Sequence, residues 1–76
     1  MAKATPLSAC KIGKIGTVAY LNTNNEARMQ KLMAMGIMPG IKIVLEQRFP
    51  SYILKVGRSR TAIDSETAEA IYIILV

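Results

Sequence analysis

Histidine and tryptophan are absent from this chain of 76 residues, and cysteine occurs once, as Cys10. Without an imidazole, the chain lacks the most common general base, the most common neutral metal ligand and every histidine-dependent catalytic triad. A single thiol forms no internal disulfide and has no second cysteine for thiol exchange. These absences predict a protein that is not an enzyme, has no cofactor or dedicated metal site, and works by binding a partner.

Long hydrophobic runs are also missing. The longest apolar segment covers residues 71–76, far short of the roughly 20 residues that a membrane span requires. The first five residues are not followed by the apolar region of a secretory signal. Together with the lone thiol, these features favour a cytoplasmic location.

Acidic residues are few, with five Asp and Glu against ten Lys and Arg and a net charge of +5. All ten basic residues lie within residues 1–60, which contain two acidic residues and so carry +8; residues 61–76 contain the other three and carry −3. A basic surface suits an acidic protein, a nucleic acid or an anionic membrane, and charge alone does not choose among them.

Hydrophobic residues make up 51% of the chain, enough for one compact core at this length. We expect residues 1–5 to be a flexible end and residues 6–76 to form a single domain. Alternating apolar and β-branched residues predict five short strands, at residues 16–21, 41–46, 52–56, 60–63 and 71–76. The class is therefore mainly β, and a small barrel is expected because closure removes exposed strand edges.

One α-helix is predicted at about residues 24–35. Thr23 and Glu26 have the spacing of a capping box, and Gly36 stands where a left-handed C-terminal cap belongs. Leu32 is expected in the core together with Met29 and Met33. A second, short helical turn is predicted at about residues 65–70, following the capping residue Asp64.

Six residues are candidate contacts for a partner: Arg28, Lys31, Met35, Met38, Arg58 and Arg60. Arg28 and Lys31 share one helix face at i, i+3 spacing, and the other two arginines flank a hairpin tip. The two methionines bracket the Gly36 turn and offer adaptable apolar contact. Solvated surface charge and core filling are the ordinary alternatives for these residue types.

The run from Arg28 to Gly40 closely resembles the helix, glycine and Pro-Gly turn of the FeoA family, with the core pattern Leu-x-x-x-Gly-x-x-Pro-Gly. The resemblance covers nearly the whole chain, because the family's opening, hairpin glycine and ending are matched by residues 6–8, 13–18, 57, 62–63 and 68–73. The sequence departs from the family pattern in two places. Residues 48–52 lack an expected glycine near the proline, and Asp64 replaces an expected basic residue.

This resemblance implies an SH3-like barrel and an accessory role in bacterial ferrous iron uptake. The expected partner is FeoB, a membrane ferrous iron transporter with a cytoplasmic GTPase domain, which the protein would bind and modulate. The protein would then lie at the inner face of the plasma membrane through that partner. Any association with Fe²⁺ itself is expected to be weak, since a direct iron chaperone would lack ligands here.

The alternative function is a nucleic-acid-binding module. The pattern Gly-x-x-Gly-x-Val at residues 13–18, entering a strand of a basic barrel, is similar to ribosome-associated SH3-like domains. Against this interpretation, the chain has only four aromatic residues, few for a base-stacking surface. We therefore favour the protein partner and expect no specific nucleic acid.

Overall fold

The structure is a computed structural model that describes residues 3–75, and within them it contains six strands, two α-helices and one 3₁₀ turn. The strands are β1 (Thr5–Pro6), β2 (Ile15–Leu21), β3 (Lys42–Gln47), β4 (Tyr52–Val56), β5 (Ser59–Ile63) and β6 (Ile71–Leu75). The helices are α1 (Glu26–Ala34) and α2 (Ser65–Ala70), and the 3₁₀ turn covers Leu7–Ala9.

All six strands belong to one antiparallel sheet with the order β1-β6-β2-β3-β4-β5. The mainly β prediction is confirmed, and the five expected strands are present with bounds that differ by no more than one residue. The last residue expected in β6, Val76, lies outside the described residues. In the described part of the chain, β1 and β5 are the two edges of the sheet, so hydrogen bonding between strands does not close the barrel.

The sixth strand, β1, had no signal in the sequence. Thr5 is paired with Ile73 and Pro6 with Tyr72, so pairing begins one residue inside the segment that was expected to be flexible. Two residues are too few to show an alternating pattern, so β1 is recognised only by its pairing with β6.

Helix α1 begins two residues later than predicted, because its N-cap is Asn25 and not Thr23. The side-chain oxygen of Asn25 accepts a hydrogen bond from the Arg28 amide at 3.0 Å. Thr23 instead accepts a hydrogen bond from the amide of Asn25 at 3.1 Å. Threonine and asparagine are both good N-cap residues. Asn25 lies nearer the first helical turn, so its side chain satisfies a free backbone amide of that turn.

The C-terminus of α1 is the predicted left-handed cap. Gly36 has a φ of +83°, and its amide donates to the carbonyl of Met33 at 3.0 Å. The amide of Ile37 donates to the carbonyl of Leu32 at 2.9 Å. This pair of bonds is a Schellman motif, and its usual apolar contact is supplied by Leu32 and Ile37, which are both buried.

The core lies on the inner face of the sheet under α1 and α2. Its largest fully buried side chains are Leu7, Val18, Leu32, Ile37, Ile43, Leu45, Leu54, Ile71 and Ile73. The prediction that Met33 belongs to the core is wrong, since Met33 is 48% exposed, and Met29 is only half-buried. A helix of nine residues turns one fully buried residue, Leu32, toward the sheet, and Ile37 beyond the glycine supplies the next core contact.

One arginine connects the start of the domain to the middle of the sheet. The guanidinium of Arg48, after β3, donates hydrogen bonds to the carbonyls of Ser8 and Cys10. Nearby, the amide of Gly13 donates to the carbonyl of Leu45 at 2.8 Å. The segment before β2 is therefore held against the end of β3 that leads into the β3–β4 connection.

Candidate functional site

A groove of about 470 Å³ runs between helix α1 and the junction of β5 with α2. We call it the α1 groove, and the residues that define it are Arg28, Lys31, Leu32, Met35, Ile63 and Asp64. Arg28, Lys31 and Leu32 lie on α1 and Met35 is its C-cap residue, and at this helical spacing the four share one face. The other two lie where β5 ends and α2 begins.

The floor of the α1 groove is apolar. Leu32 is 1% exposed and Ile63 is 8% exposed, while Met35 is half-buried and packs against the same core. Because the thioether side chain of methionine is flexible and polarisable, it can adapt to apolar groups of different shape. This floor suits an inserted apolar side chain.

The walls of the α1 groove carry opposite charges. Arg28 forms an ion pair with Glu66 of α2, with 3.0 Å between Nη2 and Oε2, and so part of its charge is already neutralised. Lys31 is exposed and forms no ion pair within residues 3–75. Lys31 is therefore the cation of this groove that is available to an acidic group.

Asp64 forms the opposite wall and is also the N-cap of α2. Its Oδ1 accepts a hydrogen bond from the Thr67 amide at 2.7 Å. Hydrogen bonds from the side chain and the backbone of Thr67 hold the pKa of Asp64 below its usual range, and the side-chain bond has the larger effect. The positive charges of Arg28 and Lys31 lower this pKa further. The carboxylate is thus ionised at neutral pH and acts as an anion facing the helix.

Three of the six predicted contact residues meet in this groove: Arg28, Lys31 and Met35. The other three, Met38, Arg58 and Arg60, lie outside its lining. Arg60 forms an ion pair with Glu46 on the far side of the neighbouring strand β4.

Arg58 lies at the tip of the β4–β5 hairpin, where Gly57 has a φ of +61° as the first residue of a two-residue turn. The hairpin adjoins the end of α1, because a Cβ placed on Gly36 would lie 3.7 Å from Val56 Cγ1. Arg58 therefore lies near the same end of α1 as Met35.

The sequence did not reveal the opposite wall of the groove. The sequence pattern predicts Asp64 as a helix cap and marks it as a departure from the family, but it does not place Asp64 opposite α1, and Glu66, the partner of Arg28, is 38 residues away in the sequence. A periodic pattern identifies the faces of one element but not the element that it meets. The concentration of acidic residues after residue 60 was the one available signal.

Residues 3–75 contain no group of three or more His, Cys, Asp or Glu side chains placed to hold a metal ion. Cys10 is buried, and its Sγ lies 3.4 Å from the carbonyl oxygen of Pro6. Burial raises the pKa of the Cys10 thiol, and the charge of Arg48 opposes that rise to a smaller extent. The thiol is therefore protonated at neutral pH and is a poor nucleophile.

Neither helix within the described residues has the length and apolar character needed to cross a membrane. The longer one, α1, has nine residues.

Comparison with known proteins points to one family. The model of the FeoA domain matches residues 5–75. A protein of Leptolyngbya boryana with the provisional name Fe(2+) transport protein A is 39% identical over 44 residues, which are 58% of this chain and 54% of that protein. The match thus spans about half the length of that relative.

Solved structures show the same fold. A crystal structure of an iron uptake regulatory protein (FeoA) is similar with a TM-score of 0.87 at 28% identity, over 97% of this chain and 99% of the other. The iron(II) transport protein A of Clostridium thermocellum gives 0.85 at 25% identity, over 95% and 46%. A manganese-dependent transcriptional repressor gives 0.90 at 22% identity, over 100% and 44%, and at this identity the likeness shows the fold alone. The predicted SH3-like fold is confirmed.

Proposed function

Because this chain belongs to the FeoA family, whose model matches residues 5–75, we propose that it is an accessory protein of ferrous iron uptake that binds and modulates a FeoB-type transporter. The partner region is the cytoplasmic GTPase part of that transporter. In this proposal the protein lies at the inner face of the plasma membrane through its partner. It carries out no reaction of its own.

The observation that carries this proposal is the α1 groove. It unites an apolar floor, a cation (Lys31) that forms no ion pair with any described residue, and an anion, all on preorganised elements. Such an arrangement fits a short protein segment that presents one apolar side chain to Met35 and one carboxylate to Lys31. Rigid caps at both ends of α1 reduce the ordering entropy that binding would otherwise cost.

The residues outside the groove remain part of the proposed contact surface. Arg58 lies at a hairpin tip beside the end of α1, and Met38 follows the Gly36 turn. Arg60 already has an acidic partner in Glu46 and lies outside the groove, so it should contribute less to binding than Lys31 does.

Lys31→Glu tests the groove. In a pull-down or calorimetric titration with the cytoplasmic region of the transporter at low salt, we expect binding to weaken by about fivefold or more, the effect of roughly 1 kcal/mol. Thermal stability should stay nearly unchanged, because Lys31 is exposed and has no ion pair among the residues that the structure describes, and such a charge contributes little to folding.

Lys55→Glu is the matched control, since Lys55 is exposed on β4 and outside the groove. It makes the same change in net charge and should bind like the parent. Equal binding by the parent and Lys31→Glu would place the docking surface elsewhere. Equal weakening by both variants would show that overall charge, and not this groove, determines the interaction.

A further inference from the structure

Three large apolar side chains are exposed at one end of the sheet. Phe49 is 86% exposed, Ile12 is 54% exposed and Ile15 is 51% exposed. None of them lines the α1 groove. Singly, an exposed apolar residue needs no explanation, but a group of them at one end of a domain marks an interaction surface.

Backbone contacts hold these residues at the same end of the molecule. The Arg48 guanidinium, next to Phe49 in the chain, donates to the carbonyls of Ser8 and Cys10. Gly13 is hydrogen-bonded to Leu45 at 2.8 Å, and Ile15 is paired with Val44. The loop that leads into β2 at Ile15 and the β3–β4 connection are therefore neighbours.

Basic residues alternate with the apolar ones in this region. Lys11 and Lys14 are exposed on either side of Ile12 and Gly13, and in the described part of the chain neither forms an ion pair. Residues 1–25 contain no acidic residue at all. We define the loop patch as Lys11, Ile12, Lys14, Ile15 and Phe49.

We propose that the loop patch binds the surface of an anionic lipid bilayer. Phe49 and the two isoleucines would enter the boundary between headgroups and acyl chains, and the two lysines would contact anionic headgroups while their stems lie along the apolar layer. The charge of the patch complements such a surface.

The observations favour lipid over the other anionic partners. Phe49 and Ile12 lie in loops and Ile15 begins β2, and none of the three lines the α1 groove, the apolar concavity suited to a protein anchor residue. Ile12 and Ile15 are aliphatic and cannot stack on bases, so Phe49 would be the single residue of the patch that stacks on a nucleic acid. A flat, deformable bilayer accepts all three side chains at once.

Binding through the patch alone should be weak and reversible, since two lysines and three apolar side chains form a single modest anchor. Each lysine near an anionic surface contributes about a fivefold change in partitioning. The loop patch and the α1 groove share no residue, so a protein held at a membrane transporter through the groove could also contact the bilayer. That proximity would raise the effective concentration of the patch at the membrane.

The absence of tryptophan allows a direct test with a single introduced fluorophore. Phe49→Trp in the full chain should shift its emission to shorter wavelength when vesicles of equimolar phosphatidylglycerol and phosphatidylcholine are added, because the indole enters a less polar layer. Met33→Trp is the matched control: Met33 is 48% exposed on α1, outside the loop patch, and should show no shift. Vesicles of phosphatidylcholine alone should give a much smaller response with either variant.

Charge reversal provides the second arm. In co-sedimentation with the anionic vesicles, Lys11→Glu with Lys14→Glu should reduce binding about tenfold or more. Lys31→Glu with Arg58→Glu makes the same change in net charge away from the patch and should reduce it much less. Equal losses in both double variants, no shift in Phe49→Trp, or tighter binding to labelled RNA than to vesicles would each overturn the proposal.

Discussion

Replacing Leu32 by alanine should separate the core of helix α1 from its surface. Leu32 is 1% exposed, and its carbonyl accepts the Ile37 amide in the C-terminal cap. Truncation removes buried methyl groups and leaves a cavity under the helix, which costs about 2–5 kcal/mol. A domain of this length is stable by only about 4–11 kcal/mol, so the loss is a large share of the total.

The matched control is Met33→Ala, one residue later on the same helix. Met33 is 48% exposed, and a surface substitution of this kind changes stability by no more than about 0.5 kcal/mol. In thermal denaturation followed by circular dichroism, Leu32→Ala should lower Tm by about 10–30 °C, and Met33→Ala should stay close to the parent. A similar loss in both variants would show that the two side chains are equally buried and would refute this description of the helix.

Two further predictions concern the caps. Gly36→Ala should destabilise the domain by about 1 kcal/mol or more, because a φ of +83° is unfavourable for a residue with a Cβ. Space is not the cause, since the nearest atom, Val56 Cγ1, would lie 3.7 Å from the new methyl group. Asparagine tolerates this backbone conformation better, so Gly36→Asn should recover part of the lost stability in a urea titration. Asp64→Asn should keep the cap of α2 at neutral pH but make stability less sensitive to acid. The folded state lowers the pKa of Asp64, so the ionised carboxylate stabilises the fold at pH values above its unfolded pKa near 3.8. That stabilisation is lost as pH falls through the folded pKa. Melting temperatures of the parent and Asp64→Asn, compared at neutral pH and at about pH 3, check this; an equal fall in both would contradict it.

Local signals predicted most of the elements. Gly36 at the end of α1, Asp64 before α2 and the alternation in β3 each depend on neighbours a few residues away, and each is present in the structure. The errors lie where two local signals compete or where none exists. Thr23 and Asn25 are both good caps, and the two residues of β1 are recognisable only through their pairing with β6.

The candidate site was predictable on one side only. Helical spacing predicted that Arg28 and Lys31 share a face, and the structure brings these two together with Met35, which was predicted beside the Gly36 turn. Their opposite wall depends on how β5 and α2 fold back onto α1, which is a contact between distant parts of the chain. The same limit explains Met33: spacing groups it with Leu32, but the angle at which a short helix meets the sheet decides which of the two is covered.

The hydrogen bonds of Arg48 have a consequence for how the domain is held together. Small domains of secreted proteins commonly use a disulfide to join distant segments, and this chain has one cysteine. Here the planar guanidinium of Arg48 joins residues that are 38 and 40 positions apart in the sequence. Its N–H groups have a fixed geometry, and they donate to the carbonyls of Ser8 and Cys10, which water would otherwise satisfy. A lysine at this position would present a single ammonium group in place of that fork. One side chain therefore joins residues 8–10 to the start of the β3–β4 connection.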